Sequence, residues 1–430
     1  CRVGYARALE DMFDYFASSS QEERSHAASA VGFLQPFYLA YQGLPVKAPQ
    51  ERYAATIRML MTSRFPQFDK RLPMPGIDGK IRLGMVSGFL RNHSAWNYFQ
   101  GLFEAMDRNR FEITLFHTHG GGDRETELLK HLSDGFIEGP KSTAQWADVI
   151  RSQDLHALFY PEFGMDPMCI QLGCLRLAPL QLTSWGHPVT SGLESIDYYL
   201  SSDLMEPENG QDDYTEQLVR LPNLMMHYRL PTVDPEQIDR ADLDLPQDAV
   251  IFWCCQSLFK YLPRHDDVFP RIAKGLDKAC FVFLAGHGGT VEQQVRERLA
   301  KAFELEGLDM NRHCVFLPTL PKPTFAAVSA LADVFLDSVD WSGCNSTMEA
   351  IGANLPILTS PGSFMRGRHT TAFLKMMGMK EWIAADKDEY VALAVRLGKD
   401  DKLRKAVSEK IRIQKNLLYR DPRPVRALEK

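Results

Sequence analysis

The chain has 430 residues, of which 45% are hydrophobic and 24% are charged, which is typical of a globular protein with more than one hydrophobic core. The formal net charge of −6 argues against general affinity for nucleic acids and for anionic membrane surfaces. The longest apolar runs have the length of strands and no secretory signal pattern opens the sequence, so neither a membrane span nor export is predicted.

The first 79 residues have the pattern of helices. Because the chain begins with Cys1 rather than methionine, we expect it to be trimmed from a longer protein. Apolar residues recur every three to four positions in Arg7–Ala17, Gln21–Tyr41 and Gln50–Ser63, which predicts three helices. Helices paired in this way are typical of the end of a helical-repeat, TPR-like array or of a helical cap. The Pro-rich stretch Phe65–Gly79 is predicted to be a linker.

From residue 80 onward, short apolar strands alternate with helical stretches. The predicted strands are Ile81–Val86, Phe111–Phe116, Ala157–Tyr160, Leu180–Ser184 and Tyr198–Ser201 in a first set, and Val250–Cys254, Cys280–Leu284, Cys314–Leu317, Val334–Leu336 and Ile357–Thr359 in a second. The clearest predicted helices of the second half are Asp266–Leu276, Val291–Glu306 and a final helix at Leu403–Leu417. This alternation predicts two parallel sheets covered by helices on both faces.

The two sets of strands join in Leu221–Asp248, a Pro-containing stretch with little periodicity. We therefore predict the GT-B arrangement, in which two Rossmann-like, doubly wound α/β domains face each other across a cleft. The expected boundaries are a helical segment and linker at 1–79, domains at 80–231 and 232–405, and a C-terminal helix and tail at 406–430. Asp421–Pro424 is expected to break the helical pattern before the tail.

The eight cysteines indicate a reduced protein. None of them forms a Cys-x-x-Cys pair, and Cys254, Cys255, Cys280 and Cys314 lie in apolar, strand-like runs. They are predicted to be core residues of a cytoplasmic protein. No Asp-x-Asp stands at a strand end and no His/Cys ligand spacing occurs, so no metal site is predicted.

Residues 336–368 carry the most informative pattern. An apolar strand ends at Leu336, a loop of small residues follows, and a helix is predicted to open at about Ser346. Unpaired N–H groups and the helix dipole make such a helix start an anion site. The chain has neither a Gly-x-Gly-x-x-Gly nor a P-loop motif, so a diphosphate held by Ser, Asn, Thr and backbone amides suggests a nucleotide-sugar transferase. Plain capping competes with this role, because Ser346–Glu349 is also a capping box with Ser346 as N-cap.

Six short motifs occur along the chain in an order that is typical of one known protein family. They are Val86–His93, Leu177–Gln181, Trp185–Gly192, Ser257–Lys260, Gly343–Glu349 and Asp421–Pro424. With them, the chain from about Ile81 to Pro424 resembles the protein O-GlcNAc transferase superfamily, which includes Spindly-type enzymes and bacterial adhesin N-glucosyltransferases. The resemblance implies a metal-independent, inverting transfer of a sugar from a nucleoside diphosphate to a protein side chain.

The resemblance also implies site residues. Lys260 is the implied catalytic residue. His93 and His156 are further catalytic candidates, because each lies next to a predicted strand of the first domain, where a histidine that faces a cleft could act as a base. The implied donor-binding residues are Gln256, Leu320, Lys322, Phe325, Gly343, Cys344, Asn345, Ser346, Thr347, Glu349 and Arg368, and the implied acceptor or sugar pocket is formed by His187, Pro188, Thr190, Ser191 and Gly192. Lys260 would neutralise charge on the leaving phosphate, and Glu349 would hold the ribose. For each of these residues a structural role competes, since an isolated histidine or loop lysine is more often structural than catalytic.

The leading functional hypothesis is transfer of GlcNAc from UDP-GlcNAc to a Ser or Thr side chain of a protein or peptide. Transfer of glucose from UDP-glucose to Asn is the nearest alternative, which the Asp421–Pro424 tail favours, and transfer of fucose from GDP-fucose is a third. A soluble or polysaccharide acceptor is a further alternative. A catalytically inactive helical-repeat scaffold is the alternative of another class, supported by departures from the family pattern at Cys344, Asn345 and Phe325. No cofactor besides the nucleotide sugar and no nucleic-acid partner is expected, and the oligomeric state is left open.

Overall fold

The computed structural model describes residues 2–77, 79–229, 233–286 and 289–430. The chain forms two compact units. The first unit comprises Cys1–Ala40, Leu44–Tyr228 and Arg420–Lys430, and the second comprises Tyr41–Gly43 and Arg229–Tyr419. The domain boundary that the sequence predicted between residues 231 and 232 lies outside the described residues.

The N-terminal segment is helical, as predicted, but one of its helices is much shorter than expected. The helices are α1 (Arg2–Ser18), α2 (Gln21–Ala27) and α3 (Lys47–Arg64). The predicted helix at Gln21–Tyr41 is wrong beyond Ala27, where only 3₁₀ turns at Ala28–Ala30 and Phe37–Gln42 follow. Gly32 adopts a φ of +92° and Pro36 follows it, so an α-helix could not run through this stretch to Tyr41.

The N-terminal helices share one hydrophobic core with the first sheet. Leu9 of α1 and Tyr53 and Ile57 of α3 are buried in the same cluster as Val86 and Trp146 of the α/β fold. Ser20 begins α2 with a reciprocal capping box, because its hydroxyl accepts from the Glu23 N–H while the Glu23 carboxylate accepts from the Ser20 N–H.

The first unit contains a seven-stranded parallel sheet. Its strands are β1 (Ile81–Ser87), β2 (Phe111–His117), β3 (Gly135–Glu138), β4 (Ala157–Tyr160), β5 (Leu180–Ser184), β6 (Tyr198–Ser202) and β7 (Gln217–Leu221). The helices that follow them are α4 (Trp96–Ala105), α5 (Arg124–Leu132), α6 (Thr143–Arg151) and α7 (Pro167–Gly173). The strand order is β3-β2-β1-β4-β5-β6-β7, so the order reverses between β1 and β4.

The second unit contains a five-stranded parallel sheet. Its strands are β8 (Val250–Ser257), β9 (Ala279–Gly286), β10 (Cys314–Pro318), β11 (Val334–Leu336) and β12 (Ile357–Leu358). Its helices are α8 (Val268–Lys274), α9 (Thr290–Leu305), α10 (Lys322–Leu331), α11 (Asn345–Gly352), α12 (His369–Met376), α13 (Lys387–Lys399) and α14 (Asp401–Gln414). The strand order is β10-β9-β8-β11-β12, so this order reverses between β8 and β11.

The end of the chain contains a helix that the sequence did not predict. The predicted break at Asp421–Pro424 is instead followed at once by α15 (Arg423–Leu428). Asp421 is buried and accepts hydrogen bonds from Asn223 Nδ2 at 2.6 Å and from Arg423 Nε at 2.9 Å. Because Asn223 follows β7, these bonds fasten the end of the chain to the first unit.

The predicted fold class is confirmed. Both sheets are parallel, both alternate with helices, and a helical segment precedes them. Among the described residues, no helix combines the length and the apolar character that crossing a bilayer needs.

Candidate active site

In each sheet, a crevice is expected where the strand order reverses, at the carboxyl ends of the two diverging strands. In the second sheet these strands are β8 and β11, which pair directly. A 3₁₀ turn that ends in Lys260 follows β8, and the small-residue loop follows β11. The fold therefore brings together two motifs that lie about eighty positions apart in the sequence, in agreement with their shared role in the predicted diphosphate site.

Asp337 organises the loop after β11. Its buried carboxylate accepts hydrogen bonds from the Gly343 N–H, the Ser342 hydroxyl and the Thr359 hydroxyl, each at 2.7 Å. Burial raises the pKa of Asp337 to about 6, although these three hydrogen bonds oppose the shift. The Ser342 hydroxyl also lies 2.9 Å from Thr370 Oγ1, so the loop is tied to α12 as well.

The predicted catalytic Lys260 and two predicted donor-binding residues, Gln256 and Ser346, are linked by consecutive hydrogen bonds. Lys260 Nζ donates to Gln256 Oε1 at 3.0 Å, and Gln256 Nε2 donates to the Ser346 hydroxyl. Gly343 packs against these hydrogen-bonded side chains. A Cβ atom built on Gly343 would be 2.5 Å from Thr347 Oγ1 and 2.6 Å from Gln256 Nε2. Glycine is thus required at this position for the loop to approach the helix start.

We expect Gly343→Ala to weaken UDP binding by roughly tenfold or more, because overpacking of this kind typically costs about 1–3 kcal/mol and would separate Gln256 from Ser346. The measurement is the UDP concentration that half-saturates the thermal shift. The matched control is Gly4→Ala in α1, where no atom lies within 4 Å of the new Cβ and UDP binding should not change. An unchanged half-saturation in Gly343→Ala would contradict this account of the loop.

The structure corrects the predicted start of α11. The helix begins at Asn345, with Cys344 in the N-cap position, and no side-chain cap is formed among the described residues. The predicted capping box with Ser346 as N-cap is therefore wrong, because Ser346 already lies in the first turn and its hydroxyl accepts from Gln256. As a consequence, Glu349 is not needed for capping, and the N–H groups of the first helical turn are directed at the loop.

Lys260 has the electrostatics of an anion-binding residue. It is half-buried, and burial lowers the pKa of its ammonium group to about 8, while Cys255, Asp337 and Cys344 oppose the shift. At pH 7 the group is still protonated, since the pH lies below this pKa. The negative charge of a bound phosphate would offset the desolvation penalty of the partly buried ammonium group.

Three residues predicted to hold the nucleoside line one cavity of about 250 Å³. They are Lys322 and Phe325 of α10 and Glu349 of α11. Burial raises the pKa of Glu349 to about 7, and Lys322 opposes this shift. The Phe325 ring packs on Trp253 with centroids 5.4 Å apart. Leu320 is not among the lining residues and lies in the turn between β10 and α10.

Arg368 stabilises a neighbouring turn. Its Nη1 donates to the Gly362 carbonyl oxygen at 3.1 Å. Gly362 and Gly367 close that turn, since the Gly362 N–H donates to the Gly367 carbonyl oxygen at 2.8 Å. One hydrogen-bond donor of Arg368, a residue predicted to bind the donor diphosphate, is therefore used within this turn.

In the first unit, His93 follows β1 and stacks on Phe89 with centroids 4.2 Å apart. Its Nδ1 accepts the Ala95 N–H at 3.2 Å, so the neutral ring carries its proton on Nε2. Burial, together with the charge of Arg91, lowers the pKa of His93 and favours this neutral form. His93 can therefore donate a hydrogen bond through Nε2, but its lone pair is already used.

The structure does not bring His156 to the same edge of the sheet. His156 precedes β4 and its Nδ1 accepts the N–H of Arg82 at 3.0 Å, near the start of β1. It is buried at the amino ends of the strands, whereas ligands bind at the carboxyl ends. This position argues against the predicted catalytic role of His156.

The predicted sugar-pocket residues divide into two groups. His187 and Pro188 follow β5 at its carboxyl end, and the buried His187 ring stacks on Phe37 at 4.5 Å. The Thr190 hydroxyl and the Ser191 N–H instead donate to the buried carboxylate of Glu216, at 2.6 and 2.8 Å.

Gly192 is also placed by packing rather than by a ligand. A Cβ on Gly192 would lie 2.6 Å from the Gln50 carbonyl oxygen of α3, and its φ is +73°. Together with the use of Thr190 and Ser191 by Glu216, this assigns the second half of the Trp185–Gly192 motif to internal support, against the predicted contact with a sugar or acceptor.

Sequence reasoning missed a polar cluster at the reversal point of the first sheet. Glu162 and Asp166 follow β4, and His119 follows β2. His119 Nε2 lies 2.6 Å from Asp166 Oδ2, and both acids are buried. The signal was present, since acids directly after an apolar strand mark the carboxyl edge of a parallel sheet, but no family motif drew attention to them.

Comparison with known proteins agrees with this architecture. Residues 54–227 and 235–418 match the model of glycosyl transferase family 41. A SPINDLY protein of Petunia hybrida, described as a probable UDP-N-acetylglucosamine–peptide N-acetylglucosaminyltransferase, is 28% identical over 225 residues, which cover 52% of this chain and 24% of that protein. A UDP-glucose:protein N-beta-glucosyltransferase of Actinobacillus pleuropneumoniae serotype 5b is 25% identical over 276 residues, which cover 63% of this chain and 43% of that protein.

The structure also resembles that of a mutant O-GlcNAc transferase from Thermobaculum terrenum, with a TM-score of 0.72 and 23% sequence identity. The alignment covers 89% of this chain and 75% of the Thermobaculum chain. The two parallel sheets and the similarity to this solved structure define a protein of the GT-B fold class. The chain belongs to glycosyl transferase family 41, which confirms the resemblance inferred from the motifs. The chain spans less than half the length of the two relatives described above.

Proposed function

We propose that this protein transfers a sugar from a nucleoside-diphosphate sugar to a side chain of an acceptor protein. The observation that carries the proposal is the convergence of Lys260, Gln256 and Ser346 with the start of α11 at the reversal point of the second sheet. A cation, hydroxyl groups and backbone N–H groups at one helix start are what a diphosphate needs. The matching family model supports the reaction class.

The proposed chemistry is the inverting transfer that the family resemblance implies. An acceptor atom attacks the anomeric carbon with inversion, and the bond between that carbon and the diphosphate oxygen breaks. Negative charge grows on the leaving diphosphate, where the Lys260 ammonium and the first turn of α11 stabilise it more in the transition state than in the ground state. Glu349 and Phe325, which line the adjacent cavity, would hold the ribose and the base.

For the donor and the acceptor we propose UDP-GlcNAc and a Ser or Thr hydroxyl. The Petunia relative, a probable UDP-N-acetylglucosamine–peptide N-acetylglucosaminyltransferase, supports the donor and the peptide acceptor. Glucose transfer to Asn is the second candidate, because the Actinobacillus relative is named as a UDP-glucose:protein N-beta-glucosyltransferase and this chain contains the Asp421–Pro424 motif. The first unit, with His93 and His187 at the carboxyl edge of its sheet, would supply the acceptor side.

The test is a thermal-shift series with UDP, GDP, UDP-GlcNAc, UDP-glucose and GDP-fucose, followed by transfer assays on Ser/Thr and Asn peptides. We expect uridine nucleotides to raise the unfolding temperature, since a ligand at 100 times its Kd adds about 2.7 kcal/mol of stability. Transfer from UDP-GlcNAc to Ser/Thr peptides should exceed transfer from the other donors. Absence of a shift with every nucleotide would overturn the proposal and leave an inactive scaffold.

A further inference from the structure

Three residues that precede α3, Tyr41–Gly43, belong to the second compact unit, although the residues on either side of them belong to the first. None of the six family motifs includes them, and Gln42 lies 222 positions before Arg264, with which it forms a hydrogen bond. Bringing so distant a segment to one place has an entropic cost that specific contacts must offset. Those contacts lie at the donor site.

Tyr41 packs on two aromatic residues of the donor site. Its ring stacks on Trp341 with centroids 3.9 Å apart, and it meets the Phe259 ring in a T-shaped contact at 4.6 Å. Trp341 lies in the loop after β11, two residues before Gly343, and Phe259 directly precedes Lys260 in the turn after β8. Tyr41 therefore contacts both of the segments that form the predicted diphosphate site.

The Trp341 ring also contacts the Lys260 ammonium group. Lys260 Nζ lies 5.8 Å from the centroid of the Trp341 ring, a distance at which a cation is attracted to the face of an aromatic ring. Because the lysine side chain is flexible, its head group is placed by its neighbours, which include this ring and Gln256 Oε1 at 3.0 Å. A shift of the Trp341 ring would therefore change the position of the ammonium group.

Arg264 fixes the backbone next to Tyr41. Arg264 Nη1 donates to the Gln42 carbonyl oxygen at 3.2 Å, and Nη2 donates to the Gly43 carbonyl oxygen at 3.4 Å. The same guanidinium group forms an ion pair with Asp340, in which Nε donates to Oδ2 at 3.0 Å. Since Asp340 directly precedes Trp341, one side chain holds both members of the Tyr41–Trp341 stack in place through their neighbours.

Asp340 has a backbone conformation that its surroundings enforce. Its φ is +69°, in the left-handed region that is uncommon for residues other than glycine. His265 Nε2 lies 2.7 Å from its Oδ2, and a Cβ atom on Gly367 would be 2.9 Å from its carbonyl oxygen. Such conformations persist where neighbouring contacts determine them. The Trp341 ring is thus presented to Tyr41 by a segment with a defined conformation.

We propose that Tyr41 is a positioning residue for the donor diphosphate. Its ring orients the Trp341 ring, and the Trp341 ring in turn keeps the Lys260 ammonium group where it binds the diphosphate. Arg264 holds the backbone of the Tyr41–Gly43 segment so that this stack forms. The inference rests on the proposed function, since it requires that Lys260 binds the donor.

The test compares Tyr41→Ala with Tyr38→Ala, which removes the same side chain from the same 3₁₀ turn at a position that is 67% exposed. We expect Tyr41→Ala to raise the Kd of UDP, measured by titration calorimetry, by roughly three- to tenfold, because cation–π contacts contribute factors of this size. Tyr41→Phe keeps the ring and should restore most of the affinity. Tyr38→Ala should bind UDP as wild type does.

A double-mutant cycle distinguishes positioning of Lys260 from general support of the fold. Because Tyr41 acts on the diphosphate through Lys260, Tyr41→Ala should raise the Kd of UDP by less than about twofold when it is introduced into Lys260→Ala. Two results would overturn the inference: an equal loss of affinity in both backgrounds, or a folded Tyr41→Ala variant with the UDP affinity of wild type.

Arg264→Gln gives a second test, which remains informative if Tyr41→Ala does not fold, because the Arg264 side chain is 43% exposed. It frees the Gln42 and Gly43 carbonyl oxygens and should raise the Kd of UDP by roughly threefold, whereas the control Arg412→Gln in α14, 60% exposed, should not change it. Wild-type affinity in Arg264→Gln would overturn the inference and leave the proposed function standing. A wild-type protein that binds no UDP would overturn both.

Discussion

Replacing Lys260 with alanine should lower kcat for sugar transfer by roughly 10²–10³-fold, the usual effect of removing one preorganised group from a developing anion. Lys260 Nζ makes a hydrogen bond to Gln256 and lies 5.8 Å from the Trp341 ring, so its removal deletes a charge at little structural cost. The UDP thermal shift should shrink in the same variant. The measurements are steady-state transfer to a peptide and thermal unfolding with and without UDP.

The control is Lys402→Ala, which removes the same group from an exposed position of α14. It should leave transfer and UDP binding at wild-type levels. A folded Lys260→Ala variant with near-normal turnover would remove this lysine from the mechanism, and the anion site would then depend on α11 and the loop after β11 alone.

Asp337→Ala should have the largest effect on stability. Its carboxylate is the shared acceptor for the Gly343 N–H and for the Ser342 and Thr359 hydroxyls. We expect the free energy of unfolding of the second unit to fall by roughly 3 kcal/mol or more, because each buried donor left without an acceptor costs about 1–3 kcal/mol. UDP binding should be lost with it, since Gly343 is no longer held. Denaturant unfolding monitored in the presence and absence of UDP measures both effects.

Asp388→Ala is the matched control, because it removes the same group from a side chain that is 83% exposed and paired with Arg271. Exposed ion pairs contribute about 0–1 kcal/mol, so only a small change is expected there. Equal destabilisation by the two substitutions would show that Asp337 does not organise the loop. Asp337→Asn should fall between the two, since an amide oxygen can still accept.

The strands that the sequence predicted best are the continuously apolar ones. Ala157–Tyr160 and Val334–Leu336 match the structure at both ends, because strands buried on both faces carry uninterrupted apolar residues. Strands β3 and β7 were missed because they are only partly buried, and their sequences (Gly-Phe-Ile-Glu and Gln-Leu-Val-Arg-Leu) show neither a long apolar run nor a regular alternation. The predicted helix at Gln21–Tyr41 was wrong because α2 already ends at Ala27, and the positive φ of Gly32 is incompatible with an α-helix that continues past it.

The site was predictable where one segment of sequence defines it. The loop after β11 could be found from local pattern, because a strand, a small-residue loop and a helix start are consecutive in the chain. Lys260 was assigned through the family resemblance of the Ser257–Lys260 motif. His156 could not be judged in this way, since a residue next to a strand can lie at either end of it, and β4 is roughly 13 Å long. The His119–Asp166 pair joins two connections about forty-seven positions apart, which only the strand order reveals.

The shared core of α1–α3 and the first sheet restricts how such a protein can diversify. Recombination that exchanged the N-terminal helices for those of another protein would uncover apolar residues of the sheet and would have to restore the fit of Gly192 against the Gln50 carbonyl. A crossover at the Pro-rich linker after α3 would therefore be selected against, although the sequence marks that linker as a domain boundary. The helices next to the sheet are expected to be inherited together with it, while changes further from this contact are not restricted by it.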